Sequence, residues 1–267
     1  MRIVLDLNKD INQNASKYFE KAKKLKKKIE RIEQVIKEYS DKLKKLEQEE
    51  EKANLKTKQH KEPKREKKWY ERFRWFISSK GFLVIAGRDA TTNEIVIKKH
   101  TDKDDIILHT DLPGSPFTVI KAEGKPIDER TIEEAAIFTA SYSKAWDRAL
   151  AYLDVFYVNP EQVSKKTESG EYMGKGSFMI RGRKNYISAP LELFVGKLKS
   201  EDVLMAGPKT AIEKHCLSYV KLAPGNTKRS DAAKKISKVL KVKDLDEVVR
   251  LLPGKVRIVS TFIGKEN

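Results

Sequence analysis

Ile11, Ala15, Tyr18, Ala22, Leu25, Ile29, Ile32, Ile36, Tyr39, Leu43 and Leu46 recur at alternating intervals of four and three. That 3.5-residue period is the mark of a helix carrying one continuous apolar seam. No Gly or Pro interrupts residues 9–62. A helix of about 40 residues at 1.5 Å each reaches roughly 60 Å. A seam of this kind cannot be buried by its own helix, so it needs a partner. Residues 50–68 (EEKANLKTKQHKEPKREKK) are poor in apolar side chains and broken by Pro63. A return helix forming a helical hairpin would be short, starting near Lys64 and running into Trp69–Phe76. A homodimer packed through the seam is the competing solution. Ahead of the helix, Ile3–Leu7 has the composition of a strand with no local mate. This orphan implies either a piece of something longer or a beginning that packs back on the later domain.

Charge constrains the partners. The 267 residues carry a formal net charge of +17, and 39% are apolar. That share lies under the globular norm of roughly 45–50%, as a solvated helix requires. One cysteine, Cys216, excludes a disulfide framework, and four histidines without ligand spacing make a zinc centre unexpected. No motif asks for a metal or cofactor. No stretch approaches the ~20 apolar residues of a membrane span. A soluble, cytoplasmic, basic protein with anionic partners is expected.

From Trp69 the composition turns globular, and the fold class reads as α+β. Trp69, Phe73 and Phe76 fit one face of a helix end docking into a core; a base-stacking platform is the alternative. Strands are expected at Phe82–Ala86, Glu94–Lys98, Ile106–His109 and Phe117–Lys121, as an antiparallel meander. A helix follows over 129–151 with Asp128 as its cap. Val155–Val158 is a strand, and Ser177–Ile180 with Tyr186–Ile187 a hairpin about Arg181-Gly182-Arg183-Lys184. Strands at Leu191–Leu198 and Val203–Met205 continue the pattern. The last third alternates as helix 209–216, strand 218–222, helices 228–240 and 244–252, and strand 256–262. The body is thus a mixed, largely antiparallel sheet with a helix-rich C-terminal lobe.

Arg88, Asp89 and Asn93 fall in the turn after a strand, where Arg88 can fork onto a phosphate or close an internal pair with Asp89. His109 and Asp111, two apart on a strand, share a face and allow an acid–base pair. A nucleic-acid-processing enzyme using Asp89, His109 and Asp111 is therefore the alternative function. The stretch 163–184 joins glycines at 170, 174 and 176 to Lys165, Lys166, Lys175, Arg181, Arg183 and Lys184. Exposed backbone N–H groups and cations together suit an RNA backbone, and a solvated surface hairpin is the plainer reading.

The segments GFLVIAGRDATTNE (81–94), DIILHTDLPGSPFTVIK (105–121) and VSKKTESGEYMGKGSFMIRGRKNY (163–186) resemble the NFACT-R domain of the NEMF/RqcH-type proteins of ribosome-associated quality control. The heptad segment is similar to their coiled-coil middle region, and residues 200–262 to the C-terminal part of archaeal-type members. The resemblance implies three parts: a coiled-coil region with a leading strand over 1–68, an NFACT-R domain over 69–199, and an α/β extension of it over 200–267. It implies binding of an obstructed large ribosomal subunit, its rRNA and tRNA, and support of C-terminal tailing. It also implies a further N-terminal domain, a partner missing here, which carries the residues tied to tailing. Gly87-Arg88-Asp89 is not credited with that role. The chain is then a binding scaffold rather than an enzyme, with His109, Asp111 and Gly114 positioning a loop.

Overall fold

The computed structural model describes residues 4–6, 8, 10–58, 66–165 and 174–264, the side chains of 44–58 excepted. Lys64, the expected start of the return helix, and the cation Lys166 lie outside the described residues, but the helix does not run on into Trp69–Phe76, which forms a 3-10 turn and then a strand. The chain divides into two compact units, Met1–Glu66 and Lys67–Asn267.

Among its described residues the first unit has one helix, α1 (Ile11–Lys58). It begins where the sequence offers a reciprocal cap. The Asp10 carboxylate accepts from the Gln13 N–H at 2.7 Å, and the Gln13 side chain accepts from the Asp10 N–H at 3.4 Å. Residues 4–6 are not a strand. Val4 exchanges hydrogen bonds with the Tyr18 hydroxyl, and Asp6 does so with the Asn14 amide. These side chains satisfy backbone groups that a strand would need a neighbour to satisfy. Leu25, Ile29, Ile32 and Ile36 are exposed along the seam.

The second unit opens with a 3-10 turn at Trp69–Arg72 and continues through β1 (Arg74–Ile77), β2 (Leu83–Ala86), α2 (Ala90–Lys99), β3 (Ile106–Thr110), β4 (Thr118–Ile120), α3 (Glu129–Ser141) and β5 (Tyr152–Val158). Then come β6 (Val163–Ser164), β7 (Met179–Ile180), β8 (Asn185–Pro190), β9 (Leu193–Leu198) and β10 (Leu204–Gly207). The chain ends through α4 (Lys209–His215), β11 (Cys216–Thr227), α5 (Arg229–Leu240), α6 (Leu245–Leu251) and β12 (Val256–Phe262). A six-stranded antiparallel sheet has the order β1-β2-β4-β3-β5-β8, and a four-stranded one β10-β9-β11-β12. Strands β6 and β7 pair alone.

Helix α3 starts as expected, with Asp128 accepting from the Thr131 N–H at 3.1 Å. Its small and apolar face, Ile132, Ala135, Ala136, Phe138 and Ala140, is buried. It ends at Ser141, before the expected 151. Phe76 packs on Phe138 with centroids 4.8 Å apart. The segment after α3 is tied to the C-terminal part by the Tyr142 hydroxyl donating to the Leu251 carbonyl at 2.6 Å, at the end of α6, and the Trp146 indole donating to the Lys255 carbonyl at 2.8 Å, just before β12. A buried Lys121 is compensated by Asp105 and Asp102, which removes the penalty of an isolated interior charge.

Four further expectations are corrected. Glu94–Lys98 is helix rather than strand, because Asp89 and Thr92 cap α2 and the body buries Val96. With that strand gone and β4 set between β2 and β3, the sheet is not a simple meander. Trp69, Phe73 and Phe76 do not share a helical face. Phe76 sits in β1, and Phe73 and Phe76 enter the core while Trp69 stacks on His100 at 4.6 Å. The basic turn 181–184 joins no hairpin: β7 before it pairs with β6, and β8 after it pairs with β5.

Candidate nucleic-acid interface

A cleft of about 480 Å³ opens where the end of β2, the start of α2, the 113–117 loop, Tyr142–Lys144 and the 175–178 loop meet. Two glycines allow its walls to close. Gly114 has φ +87°, and a Cβ there would meet the Lys144 side chain at 2.5 Å. Gly176 has φ +78°, and a Cβ there would meet the Ala90 Cα at 2.6 Å. Both positions demand glycine for conformation, and at Gly176 the Ala90 backbone demands it for space as well. The Asn93 side chain accepts from the Phe117 N–H at 3.1 Å, tying α2 to the 113–117 loop.

Arg74 lines this cleft. Its Nη1 donates to the Gly87 carbonyl at 2.7 Å, and its guanidinium carbon lies 4.5 Å from the Tyr142 ring centroid. Burial holds this guanidinium below its usual pKa and pushes the Tyr142 phenol up to about 12. Neither group changes charge at neutral pH. Arg88, expected to meet a phosphate or pair with Asp89, instead donates to the carbonyls of Arg72, Phe73 and Arg250 at 3.1, 2.9 and 3.1 Å. Asp89 caps α2, and the Thr92 N–H at 2.8 Å draws its pKa down.

Beside the cleft, Asp111 does not join His109. Its oxygens accept from the Lys184 ammonium at 2.7 Å and the Tyr186 hydroxyl at 2.9 Å. Lys184 also sits 4.4 Å from the Phe156 ring centroid. The pair depresses the Asp111 pKa and raises that of Lys184. The half-buried His109 stacks on Phe117 at 4.1 Å, and its Nε2–H donates to the Ser115 carbonyl at 3.2 Å. Desolvation drives its pKa down to about 4. An imidazole that weakly basic, and a carboxylate already paired, make no acid–base couple for neutral pH. The enzyme alternative is not supported.

The remaining expected cations differ in their surroundings. Lys165 pairs with Glu94 at 3.1 Å. Lys175, Arg181 and Arg183 are exposed. The Gln162 amide donates to the carbonyls of Arg181 and Arg183 at 2.8 and 2.9 Å, fixing the backbone that carries them. Sequence reasoning missed Arg74, Tyr142 and Lys144. The one available signal was an arginine inside the otherwise apolar strand RWFI, masked by the aromatic cluster around it.

A basic helix followed by an antiparallel α+β body with a cation-rimmed cleft defines a modular protein with an RNA-binding type of domain. The model of the NFACT protein RNA binding domain matches residues 72–182, and that of the NFACT N-terminal and middle domains matches residues 1–67. The chain belongs to the NFACT family. It is similar to the archaeal Rqc2 homolog aRqcH of Methanocaldococcus jannaschii, with 46% identity over 72% of this chain and 29% of that protein. It is also similar to the ribosome quality control complex subunit NEMF of Homo sapiens, with 39% identity over 68% of this chain and 17% of that protein. Likeness to the Rqc2 homolog RqcH of Bacillus subtilis is 31% over 57% of this chain and 30% of that protein. The chain spans less than a third of the length of each of these relatives.

Proposed function

We propose that this chain is the RNA- and ribosome-binding part of a ribosome quality control factor. It engages an obstructed large ribosomal subunit through rRNA and tRNA and supports C-terminal tailing as a scaffold, while a separate N-terminal domain supplies the tailing residues. The carrying observation is a coincidence of place. Residues 72–182, which match the RNA binding domain model, also contribute most of the cleft and the exposed Lys175 and Arg181. The relatives that align with the chain bear ribosome quality control names. A cytoplasmic location follows from that role. No helix among the described residues is long and apolar enough to cross a membrane. The exposed seam of α1 takes a second helix, and a second copy of the chain through that seam is the proposed occupant.

Co-sedimentation with purified ribosomal subunits tests this function. The full chain should travel with large subunits, and more so when they retain tRNA. It should not travel with small subunits. Equal binding to both subunits, set only by salt, would reduce the reading to nonspecific polycation binding.

A further inference from the structure

We propose that the cleft floored by Arg74 and Tyr142 is a phosphate-binding site, seating one phosphate group of an RNA chain between Arg74 and the rim lysines Lys144 and Lys175. The RNA source rests on the function proposed above; the anion site rests on the geometry alone.

Arg74 feels the Asp89 carboxylate through space but is not bonded to it. No carboxylate among the described residues lies within ion-pair distance of it, and its Nε is buried without a hydrogen-bond partner there. An unpaired buried charge is unfavourable, and an incoming anion reverses that. Burial above all, with the like charges of Arg88 and Arg229, holds the Arg74 guanidinium below its usual pKa against the opposing influence of Tyr142 and Asp89. Two carboxylates also line the cleft, but Asp89 is committed to the α2 cap and Asp147 sits exposed at the rim. A planar guanidinium lining the cleft suits the oxygens of a phosphate, and exposed lysines add point charges beside it. The cleft volume falls within the ~300–1,000 Å³ range of small-molecule sites, which leaves room for a nucleotide around the phosphate.

Thermal denaturation of the full chain in inorganic phosphate, against chloride and acetate at matched ionic strength, reads the anion site directly. Phosphate should raise the Tm more than either, and Arg74→Met should abolish the difference. Fluorescence anisotropy with a short single-stranded RNA should show Arg74→Met binding about tenfold weaker, the worth of one charged hydrogen bond. End-phosphorylated and unphosphorylated forms of that RNA separate the sources. A preference for the former assigns a terminal phosphate, and equal binding an internal one. If Arg74→Met fails to fold, the double variant Lys144→Glu with Lys175→Glu serves, because both side chains are exposed; it should lose the phosphate effect while keeping the fold. Equal Tm in all three salts, or acetate matching phosphate, overturns the site. RNA binding unchanged in Arg74→Met also overturns it and leaves RNA binding by the chain intact. An Arg74-dependent phosphate effect in a chain that binds no RNA keeps the site and removes the RNA reading.

Discussion

His109 shows how a residue that looks catalytic becomes structural. Stacked on Phe117 and donating to the Ser115 carbonyl, it is held neutral, with a pKa of about 4 against an ordinary 6.5. The sign of the linkage follows. As pH falls below about 6.5 the unfolded chain binds a proton that the folded one refuses until about 4. Stability present above that window is therefore lost through it, by up to roughly 3 kcal/mol. His109→Gln keeps a donor for Ser115 but cannot titrate. Its urea midpoint should decline less than that of the wild type between neutral pH and about 4.5, and parallel declines would refute the neutral-imidazole assignment. The same scale explains why Arg88 and Lys184 were misleading in sequence. Both are cations in a basic segment, but the partner of Lys184 is Asp111, 73 residues away. Arg88 is spent on the carbonyls of Arg72, Phe73 and Arg250. Nothing local marks such pairings.

At the scale of elements, α2 is the instructive case. The run Glu94–Lys98 has the β-branched content of a strand, yet its first turn holds an Asp89 cap and its Glu94–Lys98 ion pair spans one turn at 2.8 Å. Local capping chemistry and burial of Val96 override a β-propensity that is itself weak and dependent on context. Asp89→Ala should lower stability by about 1 kcal/mol, and Asp89→Asn by much less, as read from urea midpoints. Because Asp89 is a carboxylate with a depressed pKa, its contribution is present above its unfolded pKa and fades as pH falls through the folded one. Indistinguishable midpoints for the Ala and Asn variants would mean that the cap does not hold α2. Elements with strong period or clear caps were legible from sequence: α1, α3 from Asp128, and the α4-to-β12 alternation. The break in pairing at residues 181–184 was not, since each flanking strand chooses a distant mate.

For the molecule as a whole, a charge of +17 makes RNA affinity fall with salt whichever residues touch it, so slope rather than affinity discriminates. Lys184 is paired with Asp111, and Arg181 and Arg183 are exposed on a turn whose carbonyls Gln162 holds. Replacing Arg181 and Arg183 with Ala should flatten log K against log salt by about 1.4 for single-stranded RNA, and adding Lys184→Ala should change little more. Replacing Lys23, Lys24, Lys27 and Lys28 of α1 is the comparison. If only that variant flattens the slope, the RNA lies along the helix and not on the body. The sequence by itself determined the long seamed helix, the α+β class, the basic character and the family, because periodicity, composition and contiguous motifs are properties of neighbouring residues. Only the tertiary structure decided which cations are exposed and that Arg74, Tyr142 and Lys144 face one cleft. Burial and charge pairing are settled by groups far apart in the chain, and it is those that turn a basic residue into a strut or a binding site.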